Sequence, residues 1–128
     1  MMKSCFLLLT MLSTWLTCSP VLALSVANGP PADCAQYRTS PQRTTCENAR
    51  KFGLSFNAAA IVEGLAERAY AVEFCGGTPD PAEQRHTESI LAGSAAFRAL
   101  YDEHLTMLRQ RCIYDPNGWC RSMGFVRE

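Results

Sequence analysis

The chain has 128 residues, with 12 lysines and arginines against 12 aspartates and glutamates. This length suits one domain with a hydrophobic core of its own. The charges balance and form no run of one sign, which excludes recognition of nucleic acid or of an anionic membrane through a basic surface. The sequence therefore predicts no nucleic-acid partner.

The first residues have the pattern of a secretory signal peptide. Lys3 precedes an apolar run over residues 5–16, and small residues follow up to Ala23. We expect residues 1–23 to be removed by cleavage after Ala23, with cleavage after Ala27 as the second choice. The apolar run is shorter than the roughly 20 residues that span a bilayer. We therefore expect no stable membrane insertion after cleavage.

An extended, proline-rich arm is predicted over residues 24–45, tethered at Cys34. The helical domain is predicted to follow over residues 46–128. Thr44, with a glutamate three residues later, has the spacing of a capping box. These features predict a short helix that starts near Thr44 and that Gly53 ends.

The clearest helix is predicted over residues 56–75, with Ser55 as its N-cap. Its apolar residues recur at spacings of three and four, and Glu63 and Glu67 lie on the opposite, polar face. Two glutamates one turn apart are a candidate acid–base pair, but a solvated helix face is the simpler interpretation. Gly76 begins a glycine pair that favours a helix end.

A second helix start follows at Asp80, where aspartate, proline and a later glutamate occupy the cap, the first helical position and the capping-box position. An unbroken helix over residues 81–112 would be about 47 Å long, too long for this domain. We therefore expect a break at Gly93, with Ser94 capping the next helix. The fold class predicted is all-α: a three- to four-helix up-down bundle with an N-terminal arm and a C-terminal tail, stapled by disulfides.

Cysteine usage predicts disulfides and an oxidising compartment. Cys5 and Cys18 lie within the expected leader and leave with it. The residues before Cys18 disfavour lipidation of this cysteine. Five cysteines remain, so one is unpaired or links two chains in a disulfide-linked dimer. The five remaining cysteines are Cys34, Cys46, Cys75, Cys112 and Cys120.

The predicted helix order favours particular pairs. Two long helices that run in the same direction end at Cys75 and Cys112, so we expect these two to form a bridge. Cys34–Cys46 is the local choice for the second bridge, which leaves Cys120 as the free thiol. A Cys112–Cys120 bridge that closes the tail is the competitor.

Catalytic and metal sites find little support. Cys75 is predicted at a helix C-terminus, where the helix dipole disfavours a thiolate, so a structural disulfide is the better interpretation. The glycine pair after it lacks the lysine or the longer glycine pattern of a phosphate loop, and the helix start that follows opens onto Asp80, whose charge is wrong for an anion. His86 and His104 are 18 residues apart, without the spacing of metal ligands. We predict no metal, no cofactor and no catalytic residue, and expect His104 to border the core.

The tail after Cys112 is too apolar to be fully solvated. A turn is expected at residues 115–118. Tyr114, Trp119 and Phe125 are candidates for a partner-binding surface, because aromatic side chains concentrate binding energy. The competing interpretation is that they cover the open end of an alanine-rich core.

The function predicted from these patterns is that of a small secreted or periplasmic, non-enzymatic binding or accessory protein. Its partner would be another protein, as for an inhibitor or an immunity-type protein. One alternative is a thiol-dependent or redox enzyme that uses the unpaired cysteine. Another is a small-molecule carrier, with a pocket between the alanine-rich helix and the tail.

Overall fold

A computed structural model describes residues 29–125. The predicted all-α bundle is confirmed: this part of the chain contains helices and no strand. The expected leader, its cleavage sites and Cys18 lie outside the described residues. The helices are α1 Ser40–Phe52, α2 Phe56–Cys75, α3 Pro81–Leu91, α4 Ala95–Gln110 and α5 Pro116–Ser122.

Helix α1 begins earlier than the sequence pattern indicated. Its N-cap is Thr39, whose side chain accepts a hydrogen bond from the backbone N–H of Gln42, and Pro41 occupies its first turn. The extended arm therefore ends near residue 39 and not at residue 45. Thr44, the cap predicted from sequence, lies inside the helix, where its hydroxyl donates to the Ser40 carbonyl.

The other helix boundaries agree with local capping rules. The side chains of Ser55, Asp80 and Ser94 each accept a hydrogen bond from a backbone N–H in the first turn of the helix that follows. Gly76 ends α2 with φ of 73°, in the left-handed conformation that glycine adopts without strain. The break at Ser94 is therefore a real helix boundary, as predicted.

Helices α2 and α4 run in the same direction and carry the core between them. Glu67 faces His104 and, further along both helices, Glu73 pairs with Arg109, so residue numbers rise together along the contact. This is the up-down-up order expected from the sequence. A first core cluster contains Ala49, Leu54, Ala59, Val62, Leu91 and Leu100. A second core cluster contains Ala66, Tyr70, Leu105 and Leu108.

The disulfides differ in part from those expected. The local Cys34–Cys46 bridge is present, but Cys75 bonds to Cys120 and Cys112 is free and exposed. The expected Cys75–Cys112 bridge, the free Cys120 and the competing Cys112–Cys120 bridge are therefore wrong.

The reason for the different pairing is the path of the tail. Arg111 turns to an extended conformation just after α4, which directs Cys112 away from the bundle. Helix α5 then returns to the end of α2, where Trp119 packs against the second core cluster and places Cys120 beside Cys75. Of the helices described, none is both long enough and apolar enough to span a membrane.

Candidate functional site

The three aromatic residues proposed as a partner surface have three different surroundings. Trp119 is partly buried, with its ring centroid 5.7 Å from that of Tyr70, so it covers the core. The ring of Phe125 lies 4.8 Å from the guanidinium carbon of Arg68 and covers Gly77. Tyr114 is fully exposed. The tail therefore closes one end of the bundle and leaves a single aromatic side chain in solvent.

The free thiol of Cys112 lies in the short connection between α4 and α5. Of the two arginines that precede it at positions 109 and 111, Arg109 is paired with Glu73 at 2.6 Å. An exposed thiol at this position is accessible to another chain or to an alkylating reagent.

The two histidines differ in their exposure to solvent. His86 is exposed on α3, whereas His104 is only 6% exposed on α4. Neither ring nitrogen of His104 makes a hydrogen bond within the described residues, although Nε2 lies 3.5 Å from a carboxylate oxygen of Glu67. The two groups lack hydrogen-bond geometry, so His104 and Glu67 are in contact without a hydrogen bond between them. Residues 29–125 bring together no group of three or more His, Cys, Asp or Glu that could hold a metal ion.

Glu63 is buried, which the sequence pattern did not indicate. It is 6% exposed, and its carboxylate accepts hydrogen bonds from Thr45 Oγ1 at 2.9 Å and from Asn48 Nδ2 at 3.2 Å. Both donors belong to α1. Glu63 therefore joins α1 to α2 and is not half of an acid–base pair with Glu67, which turns toward α4 instead.

The most promising site is a groove of about 520 Å³ between α2, α3 and α4. The sequence predicted a carrier pocket between α2 and the tail, but among the described residues none beyond Arg109 lines this groove. Its floor and one side, called here the apolar wall, come from the two parallel helices. The apolar wall consists of Leu65, Ala69, Val72, Tyr101 and Leu105.

The opposite side of the groove is polar and acidic. It is one face of α3 together with its cap, because positions 80, 83, 84, 87 and 88 repeat at the spacing of helical turns. This acidic wall consists of Asp80, Glu83, Gln84, Thr87 and Glu88. The groove is thus amphipathic, with hydrocarbon on one side and carboxylates on the other.

Two ion pairs connect the rim of the groove. Arg68 and Glu83 join α2 to α3 at 2.9 Å, and Glu73 and Arg109 join α2 to α4 at 2.6 Å. All four side chains are partly solvated, and exposed pairs of this kind contribute about 0–1 kcal/mol each. The pairs therefore shape the rim but can exchange partners with a bound ligand.

The pKa of Tyr101 reflects the electrostatic character of the groove. Burial raises the pKa of its phenol, and the negative charge of Glu88 raises that pKa further. Arg98 and Arg109 act in the opposite direction without cancelling the effect. The environment of Tyr101 therefore disfavours an added negative charge.

One sequence signal could have indicated the groove. Helix α3 has clear caps, but its sequence is mostly polar and offers few side chains to pack against the neighbouring helices. In the structure only Leu91 of this helix is buried. Comparison with protein-family models, with curated proteins and with solved structures found no match for the chain.

Proposed function

We propose that this protein is a non-enzymatic binding protein of the periplasm or extracellular space, and that it holds a segment of a partner protein in the groove between α2, α3 and α4. The observation that carries the proposal is the amphipathic groove itself. Its walls belong to helices that the Cys75–Cys120 bridge and two core clusters hold in place. A pre-formed site of this kind lowers the entropy lost on binding.

The open form of the groove supports a protein partner over a carried small molecule. Small-molecule sites bury most of their ligand. Here the rim side chains are exposed to solvent, which leaves the top of the groove accessible along its length. The exposed rim residues include Glu73, Asp80, Gln84, Glu88 and Arg109.

The rim chemistry also supports binding over catalysis. Arg68 and Arg109 are engaged by Glu83 and Glu73, in an arrangement that presents paired charges to a ligand. General acid–base catalysis needs a titrating group poised beside the reacting atom. Paired, solvated charges around an apolar floor are suited to recognition instead.

The cysteines support the proposed location. Two disulfides are compatible with a secreted or periplasmic protein. We propose that residues 1–23 are the signal peptide. N-terminal sequencing of the mature protein would test this, because the first residue should be the one after Ala23.

The exposed Cys112 is the thiol that would form a disulfide-linked dimer. Loss of that dimer in Cys112→Ser on a non-reducing gel is the corresponding test.

A matched pair of variants tests the groove as the binding site. Ala69→Trp fills the groove floor, whereas Ala60→Trp places the same side chain on the same helix at an exposed position outside the groove. Each variant, once shown by circular dichroism to be folded, would be used to capture partners from the native envelope and secreted fractions.

We expect one stoichiometric partner to be retained by the wild-type protein and by Ala60→Trp, and to be lost with Ala69→Trp. Equal retention by the two variants would place the binding surface elsewhere on the molecule. Absence of any stoichiometric partner for the wild-type protein would count against a binding function altogether.

A further inference from the structure

We propose that the segment held in the groove is an amphipathic helix whose apolar stripe is flanked by lysine or arginine. This inference rests on the proposed function and specifies the chemistry of the partner. It assigns the apolar stripe to the apolar wall and the cations to the acidic wall on α3.

The apolar wall has the length and periodicity of a helix-binding surface. Leu65, Ala69 and Val72 lie at positions i, i+4 and i+7 of α2 and extend over about 10 Å at 1.5 Å per residue. A partner helix with apolar anchors at i, i+3 or i+4, and i+7 presents a stripe of the same length. Ala69 in the centre leaves room for a large side chain of the partner.

The charge of the groove selects a cationic segment. Among the described residues, four carboxylates line it, from Glu73, Asp80, Glu83 and Glu88, against the two guanidinium groups of Arg68 and Arg109. Arg98, outside the lining, pairs with Glu88, so the groove keeps an excess of one negative charge. The whole chain, in contrast, has equal numbers of acidic and basic residues. A partner that brings cations to the α3 side therefore complements the groove, and an anionic helix is repelled.

The existing ion pairs leave the carboxylates available. Glu83 and Glu88 face Arg68 and Arg98 across the surface, but these pairs are partly solvated. A carboxylate has two oxygens and accepts more than one donor. Lysine or arginine of the partner can therefore share these groups without breaking the pairs that position α3.

The test uses three labelled synthetic peptides and the intact, oxidised protein. The first peptide is a helix with a leucine stripe flanked by lysines, and the second has glutamate at every lysine position. The third has the composition of the first in an order that breaks the stripe. Binding is measured by fluorescence anisotropy, and the bound site by changes in the backbone amide NMR signals of Ala69 and Val72.

A matched pair of protein variants checks the role of the acidic wall. Gln84→Lys adds one cation to the acidic wall, and Gln42→Lys adds the same charge to the first turn of α1, outside the groove. Neither glutamine side chain takes part in one of the ion pairs at the rim. The two variants therefore have the same net charge and differ in where the cation lies.

We expect the lysine peptide to bind at the groove and the other two to bind at least about tenfold more weakly, a difference of about 1.4 kcal/mol. Gln84→Lys should weaken binding of the lysine peptide by about three- to fivefold, consistent with an exposed charge interaction. Gln42→Lys should leave it unchanged. Added salt should reduce the preference for the lysine peptide.

Equal or tighter binding of the glutamate peptide would overturn the cationic assignment. Equal binding of the peptide without a stripe would overturn the helical one. If none of the three peptides binds while Ala69→Trp still loses the captured partner, the helix inference fails and the groove remains the binding site. If Ala69→Trp retains the partner, the groove is not the binding site, and both the helix inference and the groove assignment of the proposed function fail.

Discussion

Glu63 shows how a single side chain can join two helices. Its carboxylate is buried between α1 and α2, and it receives hydrogen bonds from Thr45 and Asn48. A buried carboxyl group is tolerated only where donors compensate for the lost hydration. Periodicity placed Glu63 on the polar, solvated face of α2, and that prediction is wrong, because Glu63 lies on the same buried face as Ala59 and Ala66. Its burial depends on α1 packing on the same face, which periodicity within α2 cannot reveal.

Removing one of these donors should destabilise the fold. Thr45→Val keeps the shape of the side chain and deletes the hydroxyl that donates to Glu63. We expect a loss of about 1–3 kcal/mol in the free energy of unfolding, measured by urea denaturation at neutral pH. The control is Thr44→Val, which deletes an exposed hydroxyl on the next residue and should change stability by less than about 0.5 kcal/mol. Equal losses in the two variants would contradict this role of Glu63.

Tyr101 gives the stability a dependence on alkaline pH. Burial raises its pKa in the folded protein above the ordinary value of 10.0. As pH rises through about 10, the phenol in the unfolded chain loses its proton first, so the unfolded state is favoured and stability falls until the folded phenol also ionises. Stability below that range does not depend on this group.

The measurement compares unfolding at about pH 9 and about pH 11, on either side of the ordinary tyrosine pKa. Tyr101→Phe should show a smaller loss of stability over this interval than the wild-type protein. Tyr114→Phe, which changes a fully exposed side chain, should lose as much as the wild type. A loss in Tyr101→Phe as large as that of the wild type would contradict the assignment.

At the scale of the elements, local sequence rules predicted most helix boundaries, because a cap depends on residues close to it in the chain. Ser55, Asp80 and Ser94 cap the helices that follow them, and Gly76 ends α2, as the sequence indicated. The start of α1 was predicted wrongly at Thr44, which lies inside the helix. The N-cap is Thr39, and a proline occupies the first turn that follows it.

The disulfide partners depend on long-range packing and could not be predicted in this way. Equal helix lengths correctly placed the ends of α2 and α4 on the same side of the bundle. The bridge nevertheless forms with Cys120, because Trp119 docks on Tyr70 and brings α5 to the end of α2. The apolar character of the tail was visible in the sequence, but its docking position was not.

The two bridges should contribute unequally to stability. Cys75 and Cys120 are separated by 45 residues and Cys34 and Cys46 by 12, so the chain-entropy relation gives about 4 and about 3 kcal/mol. Replacing both cysteines of the longer bridge by serine should therefore lower stability more than the same change in the shorter bridge.

Hydrogen exchange distinguishes the two bridges further. The double variant Cys75→Ser with Cys120→Ser should lose amide protection in α5, because that helix is short and depends on the bridge and on Trp119 for its position. The double variant Cys34→Ser with Cys46→Ser should keep α5 protected. Loss of α5 protection in both variants, or in neither, would contradict the role given to the longer bridge.

At the scale of the whole molecule, the groove results from an imbalance between α3 and its neighbours. Helices α2 and α4 pack closely through both core clusters, whereas α3 buries only Leu91 and reaches α2 at the rim through Arg68 and Glu83. The space between them has an apolar wall from the core helices and an acidic wall from α3. Sequence indicated the polarity of α3, but the groove exists only in the relative arrangement of three helices.

The role of the groove as a partner-binding site is tested most directly by site-specific photo-crosslinking in cells that produce the protein. A photoreactive side chain would replace Ala69 in the groove floor or, as the control, Ala60 on the exposed side of α2. We predict a covalent adduct with one partner polypeptide from position 69 and none from position 60. An adduct from position 60 alone, or from neither position, would contradict the role of the groove as the partner-binding site.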